Sequence, residues 1–457
     1  MTIENTESRK ARRVLLWIYG LAFLYFVVKL VYYVLYVGSF PDQRAHTSYL
    51  IEMTRNPSLL PDFASIPMYT VYRWDGLTEY MSQLVGEVNY LGHPSLYYLL
   101  MSRAGAVHFW ADGEITVDYL RISIWNIVLT GIALAIAYRL GYKYLKSRSP
   151  VVHGLYAAAI ATLPELGYVG CSVNNDNLAF LAFVIFFAGI LRYREEKADL
   201  KTYLLIGVGF LLGSFSKLTT ALIMLIMLVA ILIMSIVRTK SLKLIANKWF
   251  LITLPCYLLF LVYEILIYRK YGGWQPSLSL IAPEYYKTTV YYVAPEYRTP
   301  MTLWQYFRRF LGGIGYSWSS LYGHSPSVNR IMNLRVLGVI FWIPVGVTLV
   351  TAIVRCVRRK ADCISLPAAA AFLGTLAYHF YTGWTGFLKN GYANGMQARY
   401  YLALIVPFAF VMCEALPPLF RTKKAKTVGT VLALLLIACW LAGDAPRLAI
   451  QFGFPAY

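Results

Sequence analysis

Apolar residues fall into long runs separated by short polar stretches, at 14–37, 120–142, 151–170, 178–191, 202–237, 249–268, 334–354, 364–382, 399–419 and 427–443. A hydrocarbon core of about 30 Å takes about 20 helical residues to cross, so most of these runs are predicted to be transmembrane helices. The run 202–237 is longer than one span needs. At 1.5 Å per residue it rises about 54 Å, short of two full perpendicular crossings. Basic segments precede and follow it on the same side, so it is expected to cross twice, with its turn near Gly213 to Lys217 below the outer surface. The fold class is therefore all-α, a polytopic integral membrane protein with about eleven transmembrane helices.

Composition supports this assignment: of 457 residues 58% are hydrophobic and only 14% charged, a balance that a soluble globule does not need. The net charge of +20 raises the question of a nucleic-acid partner, but the position of the charge answers it. Basic residues cluster at 9–13, 143–148, 192–201, 238–248, 355–360 and 421–426, which is every second connection. That is the positive-inside pattern; it places the N-terminus in the cytoplasm and the C-terminus outside, and makes the bilayer, not nucleic acid, the partner of the charge. The first run reads as an uncleaved signal anchor. The six cysteines are scattered, with neither a disulfide framework nor zinc spacing. No N-x-[ST] acceptor occurs, since Asn56 precedes Pro57, which favours a bacterial or archaeal cytoplasmic (inner) membrane.

Within this single 1–457 transmembrane unit the expected outer segments are unequal, and 38–118 and 269–333 are the long ones, where function is expected. The first carries nine of the 22 carboxylates against Arg44, Arg55, Arg73 and Arg103, a local acidity that topology does not explain. Pro41 to Asn56 and Pro94 to Trp110 are predicted to be amphipathic juxtamembrane helices. The second loop is rich in tyrosine, suited either to an interfacial belt or to sugar faces, and ends in an expected helix around Thr302 to Tyr316.

Five short motifs carry candidate chemistry. In Ser39-Phe40-Pro41-Asp42-Gln43, Ser39 and Asp42 have capping-box spacing, and a carboxylate at a helix start is held ionised by the dipole, so Asp42 is a candidate base with His46 one turn on. Gly92-His93-Pro94 opens a helix that carries Tyr97. Asn174-Asn175-Asp176 lies between two spans and suits a hairpin cap. Lys217 is the sole charge in 202–237, and an ionisable group at such depth lines a cavity, pairs, or snorkels. Gln397-Ala398-Arg399 opens a late span, where the guanidinium can grip a phosphate or reach the interface.

Together these segments resemble the GT-C superfamily of membrane glycosyltransferases, most closely a bacterial branch of predicted membrane proteins. The matching residues are Pro41-Asp42-Gln43 with His46, His93-Pro94-Ser95-Leu96-Tyr97-Tyr98, Asn174-Asn175-Asp176, Ser216-Lys217 and Gln397-Ala398-Arg399-Tyr400. Gln43 stands where relatives often carry a second acid, which weakens the case for a paired-carboxylate metal site; Asn175 and Ala398 replace the usual proline and glycine.

The resemblance implies inverting transfer of a hexosyl or pentosyl group from a polyprenyl-phosphate sugar to a glycan, lipid or protein acceptor on the outer face. By that implication Asp42 is the catalytic base, Lys217 and Arg399 bind the donor phosphate, and His46, His93, Tyr97, Asn174, Asp176 and Gln397 bind substrate. No cofactor is required by the pattern, and a divalent cation is left open. A transporter or flippase, and a ligase or polymerase of lipid-linked glycan, are the alternatives; no inverted repeat of the transporter kind is evident.

Overall fold

The computed structural model describes residues 3–36, 40, 42–147, 149–240, 242, 244–318, 335–360, 362–393, 395–416 and 422–453. Its backbone is helical wherever the described chain is strongly apolar, because lipid leaves the peptide groups no partner but one another. The chain begins with α1 (Ile3–Tyr36), the short α2 (Gln43–Arg55) and α3 (Leu96–Ser102), and then α4 (Tyr119–Tyr144). The third apolar run is split into α5 (Pro150–Ala161) and α6 (Pro164–Gly170), where Pro164 cannot continue the preceding helix. Next come α7 (Asp176–Arg194), α8 (Leu200–Ser214), α9 (Leu218–Thr239) and α10 (Lys248–Tyr271). After the short α11 (Leu278–Ile281), α12 (Pro283–Thr288) and the amphipathic α13 (Leu303–Ser317), the chain continues through α14 (Arg335–Ile340), α15 (Ile343–Val357) and α16 (Ser365–Asn390). A 3-10 segment, Ala398–Leu404, runs into α17 (Ile405–Ala415), and α18 (Lys423–Gly453) follows.

Among the described residues seven segments are long and apolar enough to cross a membrane: α1, α4, α7, α9, α10, residues 398–415 and α18. The protein is thus a multi-pass membrane protein. The other expected crossings coincide with α5–α6, α8, α14–α15 and α16, which are broken, short or less apolar. The two expected spans in 202–237 are α8 and α9, joined at Phe215 to Lys217. With 15 residues, α8 rises only about 22 Å, so this turn stays below the level a full span reaches. Buried fractions separate the layers: α7 and the 398–415 segment are 78% and 83% buried and form the centre, whereas α10 and α18, at 22% and 17%, present their sides to lipid. α7 and α8 touch through glycine, since a Cβ on Gly209 would lie 2.6 Å from the Phe186 backbone nitrogen.

The first long loop departs from expectation. Residues 94–110 do not form one helix: α3 stops at Ser102, Gly105 takes φ +66°, and Val107–Phe109 becomes a strand. This strand belongs to an antiparallel sheet of β1 (Pro67–Asp75), β2 (Thr78–Val88), β3 (Val107–Phe109) and β4 (Ile115–Asp118), in the order β1-β2-β4-β3. Gly76-Leu77 makes the first hairpin turn, with Gly76 at φ +59°, between strands rich in tyrosine, tryptophan, threonine and valine. Acidity and apparent amphipathicity had concealed a polar-faced sheet. The expected helix at Thr302 to Tyr316 is present as α13, with Thr302 and Gln305 completing a capping box.

One ion pair ties the two ends of the chain together. Lys29 on α1 lies 2.8 Å from Asp444 on α18, both fully buried; Tyr25 donates to the same carboxylate and Lys29 also donates to the Ala161 carbonyl at 2.7 Å. Removing one member strands the other charge, whereas removing both does not. Lys29→Met is expected to destabilise the protein by about 3–5 kcal/mol and Lys29→Met with Asp444→Leu to restore most of that, measured by thermal unfolding in detergent.

Candidate functional site

Both long loops and the ends of α7, α9 and the 398–415 segment converge on one cavity of about 1660 Å³. Its polar end is built first by Asp42. This residue occupies the cap position of α2 with φ 54°, a left-handed conformation that costs a non-glycine residue about 1–3 kcal/mol but is tolerated best by Asn and Asp. The expected cap, Ser39, lies outside the described residues, and α2 starts at Gln43, so Asp42 is not at the third helical position and caps no backbone N–H with its side chain. Its carboxylate instead pairs with Arg399 and accepts from the Tyr90 hydroxyl at 2.9 Å. Burial alone would raise its pKa, but the Arg399 charge, His46, and the hydrogen bonds from Arg399 and Tyr90 outweigh it and hold the carboxyl well below the usual carboxylate range.

A second acid–base pair faces the first. Asp176, at the start of α7, pairs with Lys217, at the start of α9. Lys217 is 3% exposed and sits 5.1 Å from the centre of the Tyr400 ring, which Arg399 also overlies at 5.7 Å. Two cations and two carboxylates are thus interleaved in one part of a cavity whose lining is of mixed character. His46 donates to or accepts from the Tyr98 hydroxyl at 2.7 Å and stacks nearly parallel to His93, ring centres 6.4 Å apart. Burial lowers the pKa of both imidazoles, that of His93 to about 4, with Lys217 adding to the effect, so His93 is neutral at physiological pH.

Asp42, His46, His93, Asn174, Asp176, Lys217, Gln397 and Arg399 all line this cavity. Tyr97 does not: its hydroxyl accepts from the Asn174 backbone N–H at 2.9 Å and donates to Asn126 at 2.8 Å, which places it behind the wall as a support for Asn174. Among the described residues several lining atoms are buried without a hydrogen-bond partner, including His93 Nδ1, Asn174 Nδ2, Asp176 Oδ2, Gln397 Oε1 and Arg399 Nε and Nη1. Each such group left unpaired costs about 1–3 kcal/mol, so their concentration on one cavity gives it unused hydrogen-bonding capacity for a polar ligand or for water.

Other contributors carry no local sequence signal. Tyr90 follows β2 and reaches Asp42, and Tyr291 from the second long loop packs on Tyr90 at 5.3 Å and on Tyr392 at 5.5 Å. His379, held by the Tyr401 hydroxyl at 2.9 Å, also lines the cavity. Only long-range pairing brings these together. Apolar lining comes from Leu218, Leu222 and Leu225 along one face of α9, with Val339 and Trp342. Among the described residues no group of three or more His, Cys, Asp or Glu could hold a metal ion. Asp42 and Asp176 each meet a cation of the protein, a donor set that does not fit a shared metal.

Neither a protein-family model nor a curated protein matches the chain. Its fold matches that of the oligosaccharyltransferase of Archaeoglobus fulgidus. The apo form gives a TM-score of 0.52 at 11% identity, covering 96% of this chain and 56% of that one. The same protein tethered to an acceptor peptide containing the NVT sequon gives 0.50 at 12% identity, covering 97% and 55%. ArnT of Cupriavidus metallidurans in the apo state aligns with a TM-score of 0.49 at 12% identity over 93% of this chain and 62% of its own. The chain therefore spans between about half and two thirds of the length of these structures, and the likeness to the archaeal protein establishes the polytopic helical membrane fold expected from the GT-C resemblance.

The sheet holds the Asp42 turn in place. Gln43 donates to Glu79 on β2 at 3.0 Å, and Arg44 pairs with Glu87 and donates to the Tyr69 carbonyl. Glu79 is 3% exposed, and burial pushes its carboxyl up to about 7 although the Gln43 hydrogen bond works the other way. The folded state therefore keeps this proton where the unfolded chain, ionising near 4.5, has lost it. Its stabilising contribution is complete below that value and is lost as pH rises through about 7. Glu79→Gln is expected to match the wild type in melting temperature at pH 5 and to exceed it at pH 8; equal pH dependence in the two proteins would refute the assignment.

Proposed function

We propose that this protein is an inverting glycosyltransferase that moves a hexosyl or pentosyl group from a polyprenyl-phosphate donor to a glycan, lipid or protein acceptor. The observation that carries the reading is the junction, in one cavity, of orphaned polar atoms around two ion pairs with the leucine-lined face of α9. A ligand that satisfies both ends is an amphiphile with an anionic head. The first long loop, 38–118, is its catalytic part, and 269–333 contributes aromatic walls. Basic connections at 192–201 and 355–360 mark the cytoplasmic side, so the cavity opens on the outer face of a cytoplasmic membrane.

In this reading Arg399 and Lys217 receive the donor phosphate through Arg399 Nε and Nη1 and the lysine ammonium. Drawing Arg399 towards phosphate removes from Asp42 the neighbour that most depresses its pKa, and burial then raises it. Asp42 becomes a stronger base only when donor is present. It takes the proton of an acceptor hydroxyl, which attacks the anomeric carbon as the carbon–oxygen bond to phosphate breaks. Lys217 and Arg399 stabilise the negative charge gathering on the departing lipid phosphate. His93 and Asp176, with the orphaned Asn174 amide, face the sugar. The fold match to an oligosaccharyltransferase is consistent with such chemistry.

A transfer assay in detergent with a panel of polyprenyl-phosphate hexoses and pentoses tests the proposal. Asp42→Asn is expected to lower the transfer rate by about 10²–10⁴ while leaving donor binding within a few-fold of wild type. Lys217→Met should weaken donor binding by about ten-fold or more. A mild effect at Asp42 would point to ligation of a preassembled glycan, and uptake of substrate without turnover would point to transport.

A further inference from the structure

Glu264 is the one acid within the apolar run 249–268, and no role above uses it. It is 7% exposed, lines the cavity, and its Oε1 has no hydrogen-bond partner. A carboxylate turned into an apolar wall is costly unless a partner arrives. Phe260 and Tyr268 lie one helical turn to either side of it on the same face of α10. Tyr268 packs on Trp274 with ring centres 4.8 Å apart, so Trp274, which also lines the cavity, sits just beyond the carboxylate along this stripe.

Two contacts place the stripe beside the phosphate-binding end. Phe215, two residues before Lys217, packs on Tyr263 at 5.1 Å and on Phe260 at 6.2 Å. Gly92, next to His93, is packed so closely on Pro276 that a Cβ would overlap the proline carbonyl. Gln275 and Ser277, flanking that proline, line the cavity too. An orphaned carboxylate oxygen, an indole face and an amide on the wall of the cavity that Lys217 and Arg399 also line form a polar subsite with the chemistry of sugar recognition, where hydroxyls donate to the acid and ring C–H groups meet the aromatic face.

Resting on the lipid-phosphate reading, we propose that Glu264 is a specificity-determining residue that accepts hydrogen bonds from hydroxyl groups of the donor sugar. The test compares binding of a short-chain polyprenyl phosphate, bare or carrying each of a panel of hexoses and pentoses, to the full chain in detergent. In the wild type at least one glycosylated lipid is expected to bind about ten-fold more tightly than the bare lipid. Glu264→Leu should abolish that preference, leave the bare lipid unchanged, and keep or raise the melting temperature, because the Glu264 Oε1 it removes is buried without a partner among the described residues. Glu264→Gln, which keeps an acceptor oxygen, should retain part of the preference. Equal losses for bare and glycosylated lipid in Glu264→Leu, an undiminished preference, or no preference in the wild type would each overturn the proposal. A wild type that binds neither lipid would instead overturn the lipid-phosphate reading on which it stands.

Discussion

Two ion pairs, Asp42 with Arg399 and Asp176 with Lys217, are the interaction around which the rest of this structure is arranged. Charges within a helical membrane protein must be paired or solvated, and here each cation is matched by a carboxylate from a distant part of the chain. Arg399 opens the central 398–415 segment and Asp42 opens a juxtamembrane helix; Asp176 starts α7 and Lys217 starts α9. The pairs therefore staple four element ends to one cavity. The pairing is also incomplete, since Asp176 Oδ2 and two nitrogens of Arg399 remain without partners. The Arg399 nitrogens leave donors for an acceptor such as an anion, and Asp176 Oδ2 leaves an acceptor for a hydroxyl or other donor.

The sheet explains how a loop can present a carboxylate with the accuracy such a site needs. Gln43 and Arg44, the two residues after Asp42, are tied to β1 and β2, and Asn89 donates to the Ala45 carbonyl at 2.8 Å. These bonds offset the left-handed backbone of Asp42, a local cost maintained by surrounding structure.

The apolar runs made the membrane helices legible in the sequence, because lipid allows a long apolar segment little besides a helix. Lys217 stood out for the same reason, and Glu264 had the same signal within its own run. The sheet was hidden because β1 and β2 are partly exposed and mix apolar with acidic residues, and because β3 falls inside the segment that reads as an amphipathic helix. Tyr90 and His379 have no local mark, and Tyr291 shares only the general tyrosine richness of its loop; strand pairing and loop packing bring them to the cavity. The motif residues were visible one by one, but their crossed pairing was not, since which cation meets which carboxylate depends on how four chain segments meet in space. That pairing bears on the role proposed for Asp42, because the Arg399 charge holds its carboxyl well below the usual carboxylate range.

The most direct test is a structure of the protein with polyprenyl phosphate bound. The phosphate is predicted to lie within hydrogen-bonding distance of both Arg399 and Lys217, with the chain along the leucine face of α9 and Asp42 released from the guanidinium. A phosphate bound away from these cations, with the Asp42–Arg399 pair intact, would contradict the account.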